Sequence, residues 1–114
     1  MPNKLQAIIL AGGLGTRLGH LTKSTPKPLL PINSKPFIFY ILENLIRHGI
    51  RDIIISTGYK SNMFKEFKST YRGCSKALIT IVEEKEQMGT AGALKLCEKF
   101  IKNDFFFFKW RYFF

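Results

Sequence analysis

Leu10-Ala11-Gly12-Gly13-Leu14-Gly15-Thr16-Arg17-Leu18 is the stretch around which the chain is organised. The apolar run leading into it, Ala7-Ile8-Ile9-Leu10, reads as a short, fully buried strand. Gly12, Gly13 and Gly15 then let the backbone turn sharply and come close to a ligand with no Cβ in the way. Successive free N–H groups in such a loop form a concavity suited to phosphate oxygens. Arg17 follows where a guanidinium can clamp the same anion through two hydrogen bonds. Strand, glycine loop and arginine together predict a phosphate-handling site.

Two common glycine loops do not fit. A P-loop ends in Gly-Lys-Ser/Thr, whereas Gly15 is followed by Thr16 and Arg17. A dinucleotide fingerprint begun at Gly13 meets Leu18 where its third glycine belongs. Composition narrows the classes further. A chain of 114 residues, 46% hydrophobic and 23% charged, has globular values and room for one core. The formal charge of +10 would suit a polyanion, yet the basic residues are scattered and form no arginine-rich arm. A nucleotide accounts for a positive cleft equally well, so no nucleic-acid partner is expected. Cys74 and Cys97 lack metal-ligand spacing and read as reduced thiols of a cytosolic protein. Apolar runs fall short of the ~18 residues that span a bilayer, and the N-terminus lacks the layout of a signal peptide. The expectation is a cytoplasmic protein with no membrane partner.

Beyond the loop, Pro26, Pro28 and Pro31 exclude a regular helix, and Lys27 between two prolines is expected to be held extended with its ammonium aimed. Pro36 suits a first helical turn. Ile38, Ile41, Leu42, Leu45 and Ile46 then follow one buried helical stripe, and Gly49 supplies the stop. Ile53-Ile54-Ile55 reads as a second buried strand, which makes strand, helix and strand a parallel βαβ unit. Ser61 is expected to cap a short helix that turns Met63, Phe64 and Phe67 inward and leaves Lys65 and Lys68 to solvent. Leu78 to Val82 is the third strand. Thr90 is a candidate N-cap for a helix with Ala93, Leu94, Cys97, Phe100 and Ile101 on its apolar face. Phe105 to Phe108 begins a fourth strand. This alternation predicts an α/β fold, a mostly parallel sheet covered by helices on both faces.

The opening stretch, followed by Pro26-Lys27-Pro28, resembles the signature of the sugar-phosphate nucleotidyltransferases, L-A-G-G-x-G-T-R-L and then P-K-P. The likeness runs from residue 5 to about residue 104. Gly89 to Leu94, G-T-A-G-A-L, resembles the family's second block. The text at Pro31–Tyr40 and Ile55–Lys60 is most similar to the heptose or mannose 1-phosphate guanylyltransferase branch. The resemblance implies a Rossmann-like sheet and transfer of a nucleotidyl group from a nucleoside triphosphate to a sugar 1-phosphate, with pyrophosphate leaving. It implies that Leu10, Ala11, Gly12, Gly13, Gly15 and Thr16 cradle the nucleotide and that Gly89 and Thr90 lie along base and ribose. Arg17 would stabilise the departing pyrophosphate, and Lys27 would offset charge at the attacked phosphorus. Glu84 stands five residues before Gly89, where uridine- and thymidine-using members carry glutamine. An ionised carboxylate only accepts hydrogen bonds, which suits guanine, whose N1–H and exocyclic amine both donate. GTP is the expected nucleotide, with CTP as the alternative. Magnesium is the expected cofactor of the family, and no metal ligand is assigned in this chain.

The pattern breaks at the end. Residues 105–114 hold eight aromatics, and Lys109-Trp110-Arg111-Tyr112 stands where the family carries an N-G-D turn with its metal-holding aspartate. Read one base later, one permitted codon choice for Phe108 to Tyr112 translates as L-N-G-D-T, the glycine being forced by the single tryptophan codon. Residues 1–104 are therefore expected to be the nucleotide-binding half of a transferase domain that stops after about its fourth strand. Residues 105–114 are expected to be an aberrant, frameshifted tail, and this polypeptide is expected to be inactive.

Overall fold

The computed structural model describes residues 5–12, 25–58, 60–84, 89–101 and 105–109. In chain order these hold β1 (Gln6–Ala11), a 3-10 turn (Lys27–Leu29), the short strands β2 (Pro31–Ile32) and β3 (Lys35–Pro36), and α1 (Phe37–Arg47). Then come β4 (Asp52–Thr57), α2 (Ser61–Thr70), β5 (Leu78–Glu83), α3 (Gly89–Cys97) and β6 (Phe105–Lys109). The main sheet has the order β5-β4-β1-β6 with every pairing parallel. β2 and β3 form a separate antiparallel hairpin, turned through Asn33 and Ser34 at positive φ.

Strand periodicity divides the core. Ala7, Ile9, Ala11, Ile53, Ile55 and Ile79 face α1 and α2 and pack with Ile38, Ile41, Leu42, Leu45 and Phe64. Ile8, Leu10, Ile54 and Val82 face the other way, against Ala93 and Cys97 of α3. Helices thus cover both faces of a Rossmann-like sheet. The handedness of βαβ crossovers explains which helix goes where. The path β1–α1–β4–α2–β5 steps in one direction and keeps both helices on one face. The return from β5 to β6, beyond β1, throws α3 onto the other.

The α1 stripe is buried as its spacing requires, and its end is a Schellman cap. Gly49, at φ +93°, donates to Ile46 O, and Ile50 N–H donates to Leu45 O, both at 3.0 Å. Two helix starts differ from expectation. Pro36 stands one residue ahead of α1, with φ −59° and ψ 146°, because it also pairs with Pro31 in the hairpin. The residue ahead of α2 is Lys60, in the left-handed region at φ 53°. Ser61 lies inside that helix, buried, its hydroxyl accepting a hydrogen bond from Thr57 Oγ1 at 2.8 Å. The predicted inward residues hold: Phe64 is buried, and Met63 and Phe67 pack against the same core.

The amino edge of the sheet is closed by polar bonds. Gln6, fully buried, donates from Nε2 to Asp52 Oδ2 at 3.0 Å and to Phe100 O at 2.9 Å, tying β1, β4 and the end of the α3 segment. The carboxyl edge is built differently.

Candidate functional site

The register Ala11↔Thr57↔Glu83 ends the paired part of β1, β4 and β5. One step further stand Gly12, Gly58 and Glu84, side by side at the carboxyl edge. Glu84 N–H donates to Thr57 O at 2.6 Å, so the ladder continues past the strand end. A Cβ on Gly58 would lie 2.9 Å from Gly12 O, and one on Gly12 would lie 3.1 Å from Glu84 Oε2. The two glycines therefore leave a gap in the row, and the Glu84 carboxylate, only 8% exposed, reaches across it toward β1. Leu10 and Ala11, buried at the end of β1, bring the chain to this row.

Three helices begin at the same edge. α1 is ~16 Å long against ~20 Å for β1, and the short link His48–Arg51 joins its end to the start of β4. Its N-terminus must then lie near the carboxyl end of β1. α2 and α3 likewise start where β4 and β5 end. The positive ends of three helix dipoles face one edge and favour an anion there. Reversal of strand order between β4-β1 and β1-β6 also opens a crevice at the end of β1, where open α/β sheets take their ligands.

Lys27 is half-buried at that edge, on the turn that packs against α1. It is not extended, as its flanking prolines suggested. Leu29 N–H donates to Pro26 O at 2.9 Å and Leu30 N–H to Lys27 O at 3.1 Å, a 3-10 turn that buries Pro28 and Leu29. The Pro26 ring starts the turn, and burial of the two residues after Lys27 outweighs the extended preference before a proline. Thr90 is the second residue of α3 and not its cap, since the helix already includes Gly89. Gly13, Gly15, Thr16 and Arg17 lie outside the described residues.

Beneath the row, Ser56 and Cys97 are fully buried on the α3 face. Burial pushes the Cys97 thiol pKa up; the nearby Ser56 hydroxyl opposes that shift and the Glu84 carboxylate adds to it. Among the described residues Ser56 Oγ has no hydrogen-bond partner of proper geometry, so its influence is that of a neighbouring dipole. Gly58 was missed in the sequence, although I-S-T-G repeats the apolar-strand-to-glycine step of L-A-G-G. Among the described residues no group of three or more His, Cys, Asp or Glu gathers around a metal position. No helix among them is long and apolar enough to cross a membrane.

A parallel sheet with helices on both faces defines an α/β fold of the Rossmann-like class. The nucleotidyl transferase family model matches residues 6–110, and the chain belongs to that family. It is 48% identical over 101 residues to the D-glycero-alpha-D-manno-heptose 1-phosphate guanylyltransferase of Campylobacter jejuni, covering 88% of this chain and 44% of that protein. It is 38% identical over 100 residues to the mannose-1-phosphate guanyltransferase of Debaryomyces hansenii, covering 88% of this chain and 28% of the other. The crystal structure of HddC from Yersinia pseudotuberculosis complexed with GMP-PN superposes with a TM-score of 0.81 at 33% identity, over 92% of this chain and 47% of that one. The chain thus spans less than half the length of these relatives.

Proposed function

We propose that this chain supplies the nucleotide-binding part of a cytoplasmic guanylyltransferase that joins GTP and a sugar 1-phosphate into a nucleotide-sugar and pyrophosphate, for surface-polysaccharide synthesis. The observation that carries this reading is the buried Glu84 carboxylate in line with Gly12 and Gly58. A fixed acceptor at that place suits the two donors on the Watson–Crick edge of guanine. The names of the relatives and the GMP-PN complex of HddC point the same way. In this reading the sugar 1-phosphate oxygen attacks the α-phosphorus while the glycine loop and Arg17 hold the departing pyrophosphate. Lys27, at the same edge, offsets charge on the attacked phosphate. No covalent intermediate is needed, because alignment and charge neutralisation carry the step.

Competition binding with GTP, CTP, UTP and ATP tests the base assignment: GTP should bind best, and a clear preference for UTP overturns it. In a chain of full family length, Arg17→Ala should cost about 2–4 kcal/mol of transition-state stabilisation. Unchanged kcat and KM would remove Arg17 from the mechanism.

A second reading rests on Lys109-Trp110-Arg111-Tyr112 and the L-N-G-D-T of the neighbouring frame. In it, this polypeptide binds nucleotide without turning it over, and removing one base from the Phe105–Phe108 codons restores transferase activity. A shifted frame that meets a stop codon within a few residues overturns that reading.

A further inference from the structure

Gly58 carries an inference that rests on the nucleotide reading and deepens it. We propose that Gly58 is a positioning residue for the nucleotide: its missing side chain lets the end of β4 lie against the Gly12 carbonyl, and that contact sets where the glycine loop leaves the sheet. The demand is for space and not for a special backbone, since Gly49 is the glycine at positive φ among the described residues. An alanine at 58 is conformationally allowed but has no room. Its Cβ would stand 2.9 Å from Gly12 O, 3.5 Å from Gly12 Cα and 3.5 Å from Glu84 O. All three atoms belong to backbone, so none can rotate away as a side chain would. Relief has to come from displacement of Gly12, of Glu84 or of both, the two residues that flank Gly58 in the row.

Gly73 gives the matched control. A Cβ there would run into the Tyr71 ring, in the corner after α2 and away from the row. At Gly73 the obstacle is the far end of a side chain and at Gly58 it is backbone, and only Gly58 borders the site. Gly73→Ala should cost stability without touching the nucleotide, whereas Gly58→Ala should move the site.

The test is a set of amide NMR spectra of the 114-residue chain, wild type, Gly58→Ala and Gly73→Ala, each titrated with GTP and unfolded with urea. The amides of Gly12 and Glu84 should shift in unliganded Gly58→Ala and stay in place in Gly73→Ala. GTP affinity should fall by about tenfold to a hundredfold in Gly58→Ala, the scale on which misplaced groups lose function. It should remain at the wild-type value in folded Gly73→Ala. Unmoved Gly12 and Glu84 amides overturn the proposal even if GTP binds. So does an affinity loss in both variants that follows their loss of stability, and so does a Gly58→Ala chain that fails to fold. If those amides move but the wild type binds none of GTP, CTP, UTP and ATP, the nucleotide reading itself fails and this role fails with it.

Discussion

The two faces of the sheet are built to different ends. Against α1 and α2, the strands meet Phe37, Ile38, Ile41, Leu42, Leu45, Ile46 and Phe64, large side chains that fill a continuous core. Against α3 they meet Ala93 and Cys97, with Leu94 and Phe100 only partly buried. The first turn of α3 is Gly89-Thr90-Ala91-Gly92, a run of small residue types. The row of Gly12, Gly58 and Glu84 continues the even-numbered positions Leu10, Ser56 and Val82, so by strand alternation it belongs to this thinner face. Burial of large side chains fills one face of the sheet, and the other is covered by smaller ones.

The largest test of that contrast is a pair of truncations. Leu42→Ala, at a fully buried α1 position, should lose about 2–5 kcal/mol in urea unfolding. Leu94→Ala, half-buried on α3, should lose about 1 kcal/mol. Equal losses would erase the distinction between the faces.

Next in size is the polar anchor of the thicker face. The buried Tyr71 hydroxyl donates to Glu43 Oε2 at 2.5 Å, and its ring stacks on Phe67. Tyr71→Phe should cost about 1.5 kcal/mol, the low end for a bond to a charged group, because Glu43 itself is exposed. A neutral outcome in urea unfolding would show that the ring alone holds this corner.

Alkaline pH sharpens the comparison, because among the described residues the two faces bury the Tyr71 phenol and the Cys97 thiol. Burial, with the Glu43 carboxylate next, raises the Tyr71 pKa, and burial raises that of Cys97. In the unfolded chain these protons leave near ~8.5 for the thiol and ~10 for the phenol. The folded chain then holds more protons than the unfolded one, so stability is full below those values and falls as pH rises past them. The slope is at most ~1.4 kcal/mol per pH unit for each group. Cys97→Ala should flatten the decline that begins near the thiol value, and Tyr71→Phe the one that begins near the phenol value. Urea midpoints from pH 7 to 11 that do not move in the wild type contradict both.

The smallest effect is one of rate. Cys74 is exposed and should react with a thiol reagent at the pace of an ordinary surface cysteine. Cys97 should react only as α3 opens. Matching rates would mean that α3 does not close its face.

Much of this molecule was legible along the chain. Ile53-Ile54-Ile55, the α1 stripe and Gly49 each carry a local signal, because a buried strand, an amphipathic helix and a left-handed stop impose their own residue spacing. The glycine loop and P-K-P pointed to the family because its signature is written in two short, contiguous stretches of sequence. Less was legible where the deciding contact came from elsewhere. Ser61 resembles a cap, yet Thr57 takes its hydroxyl and Lys60 stands before the helix. Lys27 sits in a 3-10 turn because Pro28 and Leu29 are buried. Gln6 carries no local signal of its role, because its partners lie on β4 and after α3. Strand order, and with it the alignment of Gly12, Gly58 and Glu84, came only from the tertiary structure. Local periodicity says which residues are buried. Which strands become neighbours is decided by crossover handedness and by the face each helix must cover.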